Sequence, residues 1–546
     1  MKCFKYIISF IAVMLFLNSN AQTVNWYQGM DLARRGQLAG QWDTSLSLCV
    51  NPITLPVSFF DSTNTKYNKI FFFHKKSNIT FLPLSLTQQY NSTLPYDWNA
   101  GPMIPSRGYQ LVASTGFSAQ FGKHLSLQLA PEFVYAGNDD FETFMTVNFD
   151  RLWERYYHWL NNSDIPEKFG SSLYTRFFPG QSSIRYNTKN MSFGISTENM
   201  WWGPGVRNAL IMSNNAPGFL HVTINTIRPI HSKIGSFEGQ IIGGRLDDSG
   251  IPPPETNRVN NGIFLYHPKR DEWRYITGMV LSWQPKWVSH LFVGITKAAY
   301  LYPSDISSPL DILPFDGFFG PAVTPSEKTG KKASQGALFF RYILPKEQVE
   351  LYMEYGRSDQ SLMPWNIVES HPYRRAYVAG FKKIFDAAQS SHIQLAVEFT
   401  QLEAPDGSLI QAPGESWYTH DYVRQGYTQM GRVIGAGIGP GGNSQTLEIS
   451  WFKGYKKIGL QFERVVHNED FYLYAFEDIP DYSRQWIDLS TTLHTEWNFK
   501  RFLFSSDLGL IRAYNHEWWA VYGVTTFTGG YDYLNFHGKL SLVYRW

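Results

Sequence analysis

The chain of 546 residues has few cysteines, little net charge and, beyond its first residues, no long apolar run. Its two cysteines are Cys3 and Cys49, and Cys3 lies in an N-terminal segment that we expect to be removed. One remaining thiol excludes an intrachain disulfide scaffold and a cysteine-based metal cluster. The formal net charge of +2 gives no reason to expect nucleic acid as a partner. No later stretch is apolar enough for a membrane-spanning helix.

The N-terminus has the pattern of a cleaved signal peptide. Lys2 and Lys5 precede a short apolar run over 6–17, which leads to small and polar residues that end at Ala21. This order predicts export, with cleavage near Ala21. The run is shorter than the roughly 20 residues that a membrane-spanning helix needs. The alternative is a buried N-terminal helix. We therefore expect a signal peptide over 1–21 and an exported chain over 22–546.

The composition is rich in aromatic residues and yet slightly hydrophilic. Aromatic residues make up 16% of the chain, with 18 Trp, 32 Tyr and 40 Phe, and the mean hydropathy is −0.28. This combination is typical of a transmembrane β-barrel, because each strand presents lipid-facing and water-facing residues in alternation.

Period-two alternation recurs along the chain. In the last strand, Leu540, Leu542, Tyr544 and Trp546 share one face, and this pattern resembles the terminal strand that the barrel assembly machinery reads. Each of the earlier segments has one apolar face and one polar face, as expected for lipid outside and a wet lumen inside. The apolar faces contain Leu125, Leu127 and Leu129; Val349, Leu351, Met353 and Tyr355; Ile393, Leu395, Val397 and Phe399; Leu447, Ile449 and Trp451; and Ile458, Leu460 and Phe462.

Short and long connections alternate between these segments, which is typical of a barrel with periplasmic turns and extracellular loops. The spacing predicts an all-β fold, a transmembrane antiparallel β-barrel of roughly 16–20 strands. A soluble sandwich or propeller is the alternative. Two stretches, near 25–40 and 149–162, have helical spacing instead, and Gly40 would end the first. Helical backbone cannot face lipid between barrel strands, so we expect both helices at the periplasmic end.

One string is more specific than these patterns. It runs from Ser196-Thr197-Glu198-Asn199-Met200-Trp201-Trp202-Gly203-Pro204-Gly205 to Asn208-Ala209-Leu210-Ile211-Met212-Ser213-Asn214-Asn215-Ala216-Pro217. The string resembles the capsule assembly Wzi family of outer-membrane proteins. Three further segments, over 31–38, 164–183 and 423–444, are similar to the same family, so the resemblance covers most of the exported chain.

The resemblance implies a closed barrel of about 18 strands with a small periplasmic helical bundle. It also implies a lectin that holds capsular polysaccharide or exopolysaccharide at the cell surface. The expected partners are therefore that polysaccharide, outer-membrane lipid and the barrel assembly machinery, which would act through the strand ending at Trp546. The alternative function is a passive porin or glycan channel in the same barrel.

The candidate glycan-binding residues combine flat aromatic rings with polar groups. Aromatic rings can cover the C–H faces of sugars, while amides, carboxylates and guanidinium groups bond their hydroxyls or carboxylates. The alternative for the two tryptophans is a structural one, in an aromatic girdle or a constriction of the lumen. The candidates are Glu198, Trp201, Trp202, Arg207, Asn214, Asn215, Arg424, Tyr427 and Arg432.

The sequence contains no pattern that favours an enzyme. It has no His-Glu-x-x-His zinc motif and no Gly-x-Ser-x-Gly elbow. The glycine pattern over 437–442 lies in a long loop and contains Pro440, so it does not predict a dinucleotide site. We therefore expect no catalytic residues, no metal and no cofactor, and an outer-membrane hydrolase is the least favoured hypothesis.

Overall fold

The computed structural model describes residues 26–52, 69–72, 77–144, 150–253, 255–315, 329–358, 375–404, 416–476, 485–518 and 532–545. The signal peptide predicted over 1–21 and the terminal Trp546 lie outside these ranges. Among the described residues, no helix is both long and apolar enough to cross a bilayer.

Eighteen antiparallel strands of the described chain form one closed barrel. Three of them, β3, β4 and β6, consist of two segments each. In chain order the strands are β1 Ser77–Asn91, β2 Gly108–Phe121, β3 Leu125–Leu129 with Glu132–Ala136, β4 Tyr174–Phe178 with Ser183–Asn187, β5 Met191–Ser196, β6 His221–Thr226 with Ile230–Ser232, β7 Gly235–Leu246, β8 Arg274–Pro285, β9 Leu291–Leu301, β10 Lys332–Leu344, β11 Val349–Ser358, β12 Arg375–Ala387, β13 Ser391–Gln401, β14 Asn443–Lys453, β15 Lys456–Val466, β16 Ile487–Phe499, β17 Phe502–Tyr514 and β18 Tyr533–Tyr544.

The barrel closes where its last strand pairs with its first. In this β18–β1 pair, His537 lies opposite Asn91 and Tyr544 lies opposite Leu84. A further short strand, Lys69–Phe72, pairs with the start of β1. Closure joins the two edges of the eighteen-strand sheet to each other, which is the condition for a sheet to cross a membrane. The predicted fold class is confirmed, and the strand count lies inside the expected range.

The two faces of the strands differ as the alternation predicts. In β15, Ile458, Leu460 and Phe462 are exposed on the outside, whereas Gln461 and Glu463 are buried inside. The same division holds in β18, where Leu540 and Leu542 are exposed and Ser541 is buried. An apolar outer face around a polar interior is what a barrel in lipid requires.

The two ends of the barrel differ in their connections. At one end, which we call the short-turn end, the strands are joined by turns such as 122–124, 388–390 and 454–455. At the other, the long-loop end, they are joined by connections such as 197–220 and 402–442. The start of β1 and the end of β18 both lie at the short-turn end.

Helix α1, Trp26–Leu38, lies inside the barrel at the short-turn end. Asp31 bonds Lys382 and Lys457 at 3.2 Å each, and Arg35 bonds Glu496 at 2.9 Å. These wall residues all lie near the short turns. Gly40, with φ of +67°, follows the helix in a conformation that only glycine adopts readily. The prediction that Gly40 ends this helix is confirmed.

Helices α2, Asp150–Asn161, and α3, Glu469–Ala475, pack together at the long-loop end. The apolar face of α2 contributes Tyr156, whose ring lies 5.6 Å from that of Phe471, and Arg155 donates to Ala475 O at 2.8 Å. The periodicity predicted α2 correctly. The prediction that α2 lies at the same end of the barrel as α1 is wrong. The chain enters and leaves α2 from the long-loop end of β3 and β4, so the helix lies opposite α1.

Small elements complete the described chain. Three two-stranded sheets pair Val50–Asn51 with Trp201–Trp202, Val259–Asn260 with Ile263–Phe264, and Thr428–Gln429 with Arg432–Val433. Single 3₁₀ turns are found at Pro303–Asp305, Pro309–Ile312, Thr329–Lys331, Ala388–Ser390 and His516–Trp518.

Candidate functional site

Two long connections fold into the barrel and fill the middle of its lumen. We call 197–220 the first inward loop, and we call the described residues of the other connection, 402–404 and 416–442, the second inward loop. Two wall carboxylates hold the first loop by its main chain. Glu354 on β11 accepts from the amides of Gly205 and Leu210 at 3.0 Å each. Glu398 on β13 accepts from three successive amides over 206–208 at 2.7–3.1 Å. A hydrogen bond of this kind contributes about 0.5–1.5 kcal/mol net, and several of them together fix this loop.

The Trp-Trp-Gly-Pro-Gly string runs through the narrow space beside the wall residues Glu354 and Glu398. Gly203 has φ of +111°, and a Cβ there would lie 2.4 Å from the Glu354 carboxylate oxygen. Any side chain at this position would therefore displace the carboxylate that anchors the loop. The glycine is required by this close approach.

The two inward loops also bond to each other. Ser213 N donates to Ile434 O at 2.9 Å, and Tyr418 Oη donates to Leu210 O at 2.8 Å. Tyr427, one of the predicted site residues, donates through its hydroxyl to Ile211 O at 2.9 Å and is fully buried. The loops thus form a single interlocked plug.

Trp201 and Trp202 belong to this plug. Trp201 is 1% exposed and Trp202 is 0% exposed. Their indole N–H groups donate to Gly205 O at 3.0 Å and to Gln240 Oε1 at 2.9 Å. Neither ring is free to stack on a sugar in this arrangement, which favours the structural alternative for both.

Arg432 and Asn215 are buried in the same plug. Arg432 forms an ion pair with Asp97 and donates to Asn215 Oδ1 at 3.1 Å. Asn215 in turn donates to Val433 O at 3.0 Å. Because their polar groups are used within the protein, these two residues join the loops to each other.

A chamber lies beside the plug, against the wall formed by β1, β2, β3, β17 and β18. Its cavity volume is about 300 Å³, which is at the lower end of the roughly 300–1,000 Å³ typical of small-ligand pockets. It extends to the short-turn end, where Tyr455 and Arg545 line it. Three predicted site residues line it together: Glu198, Arg207 and Asn214.

Aromatic and charged groups meet where Arg207 lines the chamber. Its guanidinium lies 4.0 Å from the centroid of the Trp98 ring and makes two bonds to Glu463, at 2.8 and 2.7 Å. Asn214 donates to Asn99 O at 2.9 Å. Stacking on the guanidinium and bonding at the indole N–H hold Trp98 as a fixed aromatic surface at the border of the chamber.

The other wall of the chamber carries amides and carboxylates. Glu198 accepts from Arg185 at 2.6 Å. Glu132 is 8% exposed and accepts from the side-chain amide of Gln181 at 3.1 Å. Gln181 also donates to Asn199 Oδ1 at 2.8 Å. Planar polar side chains of this kind, held by neighbours, are suited to bond sugar hydroxyls.

Arg424 lies apart from the other candidates, at the long-loop end, where its guanidinium donates to the carbonyls of His267 and Pro268. Nearby, Asp305 accepts from Arg270 at 2.8 Å and from Tyr422 at 3.1 Å. Burial acts to raise the pKa of Asp305, but hydrogen bonds from Arg270, Tyr422 and Lys331 lower it below its ordinary value. We call Arg270, Asp305, Tyr422 and Arg424 the rim cluster.

The structure thus divides the nine predicted residues among three places. Three line the chamber, one lies in the rim cluster and five are packed in the plug. Sequence reasoning missed Trp98, Glu132, Gln181 and Lys539 of the chamber. The available signal was the alternation within the strands. It shows which side chains face inward, but it does not distinguish one inward residue from another. Within the described chain, no group of histidine, cysteine and acidic side chains is arranged to hold a metal ion.

Comparisons with known proteins identify a family and a solved structure of the same fold. The family model described as "Capsule assembly protein Wzi" matches residues 104–503, well over half of the chain. The structure of Wzi from Escherichia coli, described as a carbohydrate-binding β-barrel involved in group 1 capsule assembly, is 11% identical, with 97% of this chain and 99% of that chain covered and a TM-score of 0.58. Pseudomonas aeruginosa OpdQ is 8% identical, with 86% and 97% covered and a TM-score of 0.39. Acinetobacter baumannii OccAB2 is 9% identical, with 85% and 97% covered and a TM-score of 0.39. No curated protein sequence matches the chain. The likeness to E. coli Wzi shows a shared fold, and from the family model we conclude that this chain belongs to the capsule assembly Wzi family.

Proposed function

We propose that this protein is an outer-membrane lectin, which binds a capsular or exocellular polysaccharide and helps to attach it at the cell surface. The protein would be exported with the signal peptide over 1–21 and inserted with its short-turn end in the periplasm. Family membership and the carbohydrate binding described for E. coli Wzi support the class of ligand.

The observation that carries the proposal is the interlocked plug inside a closed barrel. The two inward loops occupy the middle of the lumen, and Glu354 and Glu398 hold the first of them by its amides. This packing supports retention of a polymer by surface contacts over free passage through the lumen, which the porin alternative requires. We assign no catalytic role to any residue, because the chemistry of the site is that of recognition.

We place the first contact with the polymer at the rim cluster. It lies at the long-loop end and combines the partly exposed ring of Tyr422 with the guanidinium groups of Arg270 and Arg424. An aromatic ring can cover a sugar face, and guanidinium groups can bond carboxylates or hydroxyls. Trp201, Trp202, Asn215, Tyr427 and Arg432 would support the loops from below without touching the glycan.

The test is binding of the purified barrel, in detergent, to surface polysaccharide extracted from the producing cells. We expect saturable binding by the unaltered protein and at least about tenfold weaker binding by Arg424→Gln, since a charge-assisted bond of about 1.5–3 kcal/mol is lost. Arg228→Gln is the matched control, because Arg228 is exposed at the short-turn end and also donates to a main-chain carbonyl. Absence of binding by the unaltered protein would overturn the proposal, and equal binding by Arg424→Gln would exclude the rim cluster as the contact.

A further inference from the structure

On the side formed by β17 and β18, the chamber is lined by two positively charged side chains and one negatively charged side chain. Lys539 and Arg545 line it together with one carboxylate, Asp507. Asp507 already bonds His494 Nδ1 at 2.7 Å. A confined polar space with an excess of positive charge attracts anionic groups.

Lys539 is close enough to Asp507 for their charges to attract each other. It lies opposite Asp507 in the β17–β18 pair, yet it forms neither a hydrogen bond nor an ion pair with any residue that the structure describes. It lines the chamber and is half-buried. A lysine kept in a lumen without a carboxylate at bonding distance is a ready site for an anion, because an ammonium group is strongly stabilised by an opposite charge.

The surroundings of Lys539 are suited to a sugar more than to a simple ion. Thr87 and Ser541 present hydroxyls that lie 3.0 Å apart, and Ser505 lines the same wall. Across the chamber are the carboxylate of Glu132 and the ring of Trp98. Hydroxyls, a carboxylate and an aromatic surface around one space match the hydroxyl edges and C–H faces of a saccharide.

We propose that the chamber is a second saccharide site, separate from the rim cluster, which takes a short segment of the polymer that carries a carboxylate. Lys539 binds the carboxylate, and the serine and threonine hydroxyls bond the neighbouring sugar. The saccharide class rests on the proposed function; the selection for a carboxylate rests on the chamber itself. Arg207 and Glu198 are positioning residues here, because their own charges are paired with Glu463 and Arg185.

The experiment uses short oligosaccharides released by mild acid from the polysaccharide of the producing cells. One half of the preparation has its carboxylates reduced chemically to neutral alcohols. We expect the full-length barrel in detergent to bind the unreduced fragments at least tenfold more tightly than the reduced ones by calorimetry. The Lys539→Gln variant should bind the reduced and the unreduced fragments equally weakly. The Arg424→Gln variant should still bind the unreduced fragments more tightly than the reduced ones.

A second readout identifies the site directly. Modification of lysines by an amine-specific reagent, followed by mass spectrometry, should be slowed at Lys539 by the unreduced fragments. Exposed Lys123 in the β2–β3 turn is the internal control and should react at an unchanged rate.

Equal binding of reduced and unreduced fragments, or unprotected Lys539, would overturn the second site while leaving polymer binding at the rim intact. Failure of the unaltered protein to bind the intact polymer is instead a failure of the proposed function, so the two outcomes are distinguishable. The Lys539→Gln variant should keep the difference in gel migration between unheated and heated samples, which verifies that its barrel is folded.

Discussion

Glu398 shows how a single residue of the wall can fix a loop that crosses the lumen. Its carboxylate accepts from the amides of Val206, Arg207 and Asn208 and from the hydroxyl of Tyr352 at 2.8 Å. A carboxylate has acceptor sites for all four groups, whereas an amide side chain has one oxygen and brings two donors of its own. The position is therefore suited to an acid and not to its amide.

Replacing this acid by its amide tests the anchor. In Glu398→Gln we expect hydrogen exchange at the 206–208 amides to rise by at least about tenfold, because several hydrogen bonds of about 0.5–1.5 kcal/mol each are weakened. Amides in the strands of the barrel should be unaffected. Exchange measured by mass spectrometry checks this, with exposed Glu347→Gln as the control. Unchanged exchange over 206–208 would show that the loop is held by its other contacts.

At the scale of elements, the sequence predicted those parts of the fold that depend on local periodicity. The alternation around Leu447 and Ile458 gave β14 and β15, and Gly40 marked the end of α1. The end of the barrel at which α2 packs depends on which connections are long, and helical spacing carries no information about that. The burial of Trp201 depends on an inward loop held by Glu354 and Glu398, far away in sequence. The chamber was missed for the same reason, since no local pattern shows which wall positions remain uncovered.

Helix α3 provides an element whose attachment should depend on pH. Asp470 on α3 accepts from Ser416 Oγ at 2.6 Å and from Ala404 N at 2.8 Å, so it joins the helix to both described parts of the second inward loop. Burial raises the pKa of Asp470 to about 7 from its ordinary value of 3.8. The folded form thus binds more protons than the unfolded form between these values, so this group's contribution to stability falls as pH rises from about 4 to 7.

We therefore expect the second inward loop to open more readily above neutral pH. Hydrogen exchange over 416–419 should increase between pH 5 and pH 8 beyond the intrinsic effect of pH. Asp470→Asn carries no titrating carboxyl and should flatten this dependence, while Asp386→Asn at the exposed short-turn end should leave it in place. The same slope in Asp470→Asn and in the unaltered protein would mean that another group controls the loop.

At the scale of the whole molecule, α1 and the interlocked loops fill the lumen together. Arg34 of α1 donates to Pro204 O at 2.6 Å, and Val50–Asn51 pairs with Trp201–Trp202. Helix α1 is held at the short-turn end by ion pairs of Asp31 and Arg35 with the wall. The interlocked loops are held near mid-barrel by Glu354 and Glu398. Breaking a buried ion pair on one side costs about 3–5 kcal/mol, but when α1 is loosened the first inward loop keeps its own bonds to Glu354 and Glu398. A barrel built in this way is suited to hold a polymer at its surface while it resists leakage.

This double arrangement makes a prediction for conductance in planar bilayers. The unaltered protein should show no large steady open state, and Asp31→Asn should remain closed because the interlocked loops still occupy the lumen. Combining Glu354→Gln with Glu398→Gln should add brief openings, since the first inward loop then loses both wall carboxylates while α1 stays bound to the wall. Combining all three substitutions should produce the longest openings, because the attachment of α1 and the attachment of the first inward loop are then both weakened. A large steady conductance of the unaltered protein would favour the porin alternative, and openings caused by Asp31→Asn alone would show that α1 is the principal barrier.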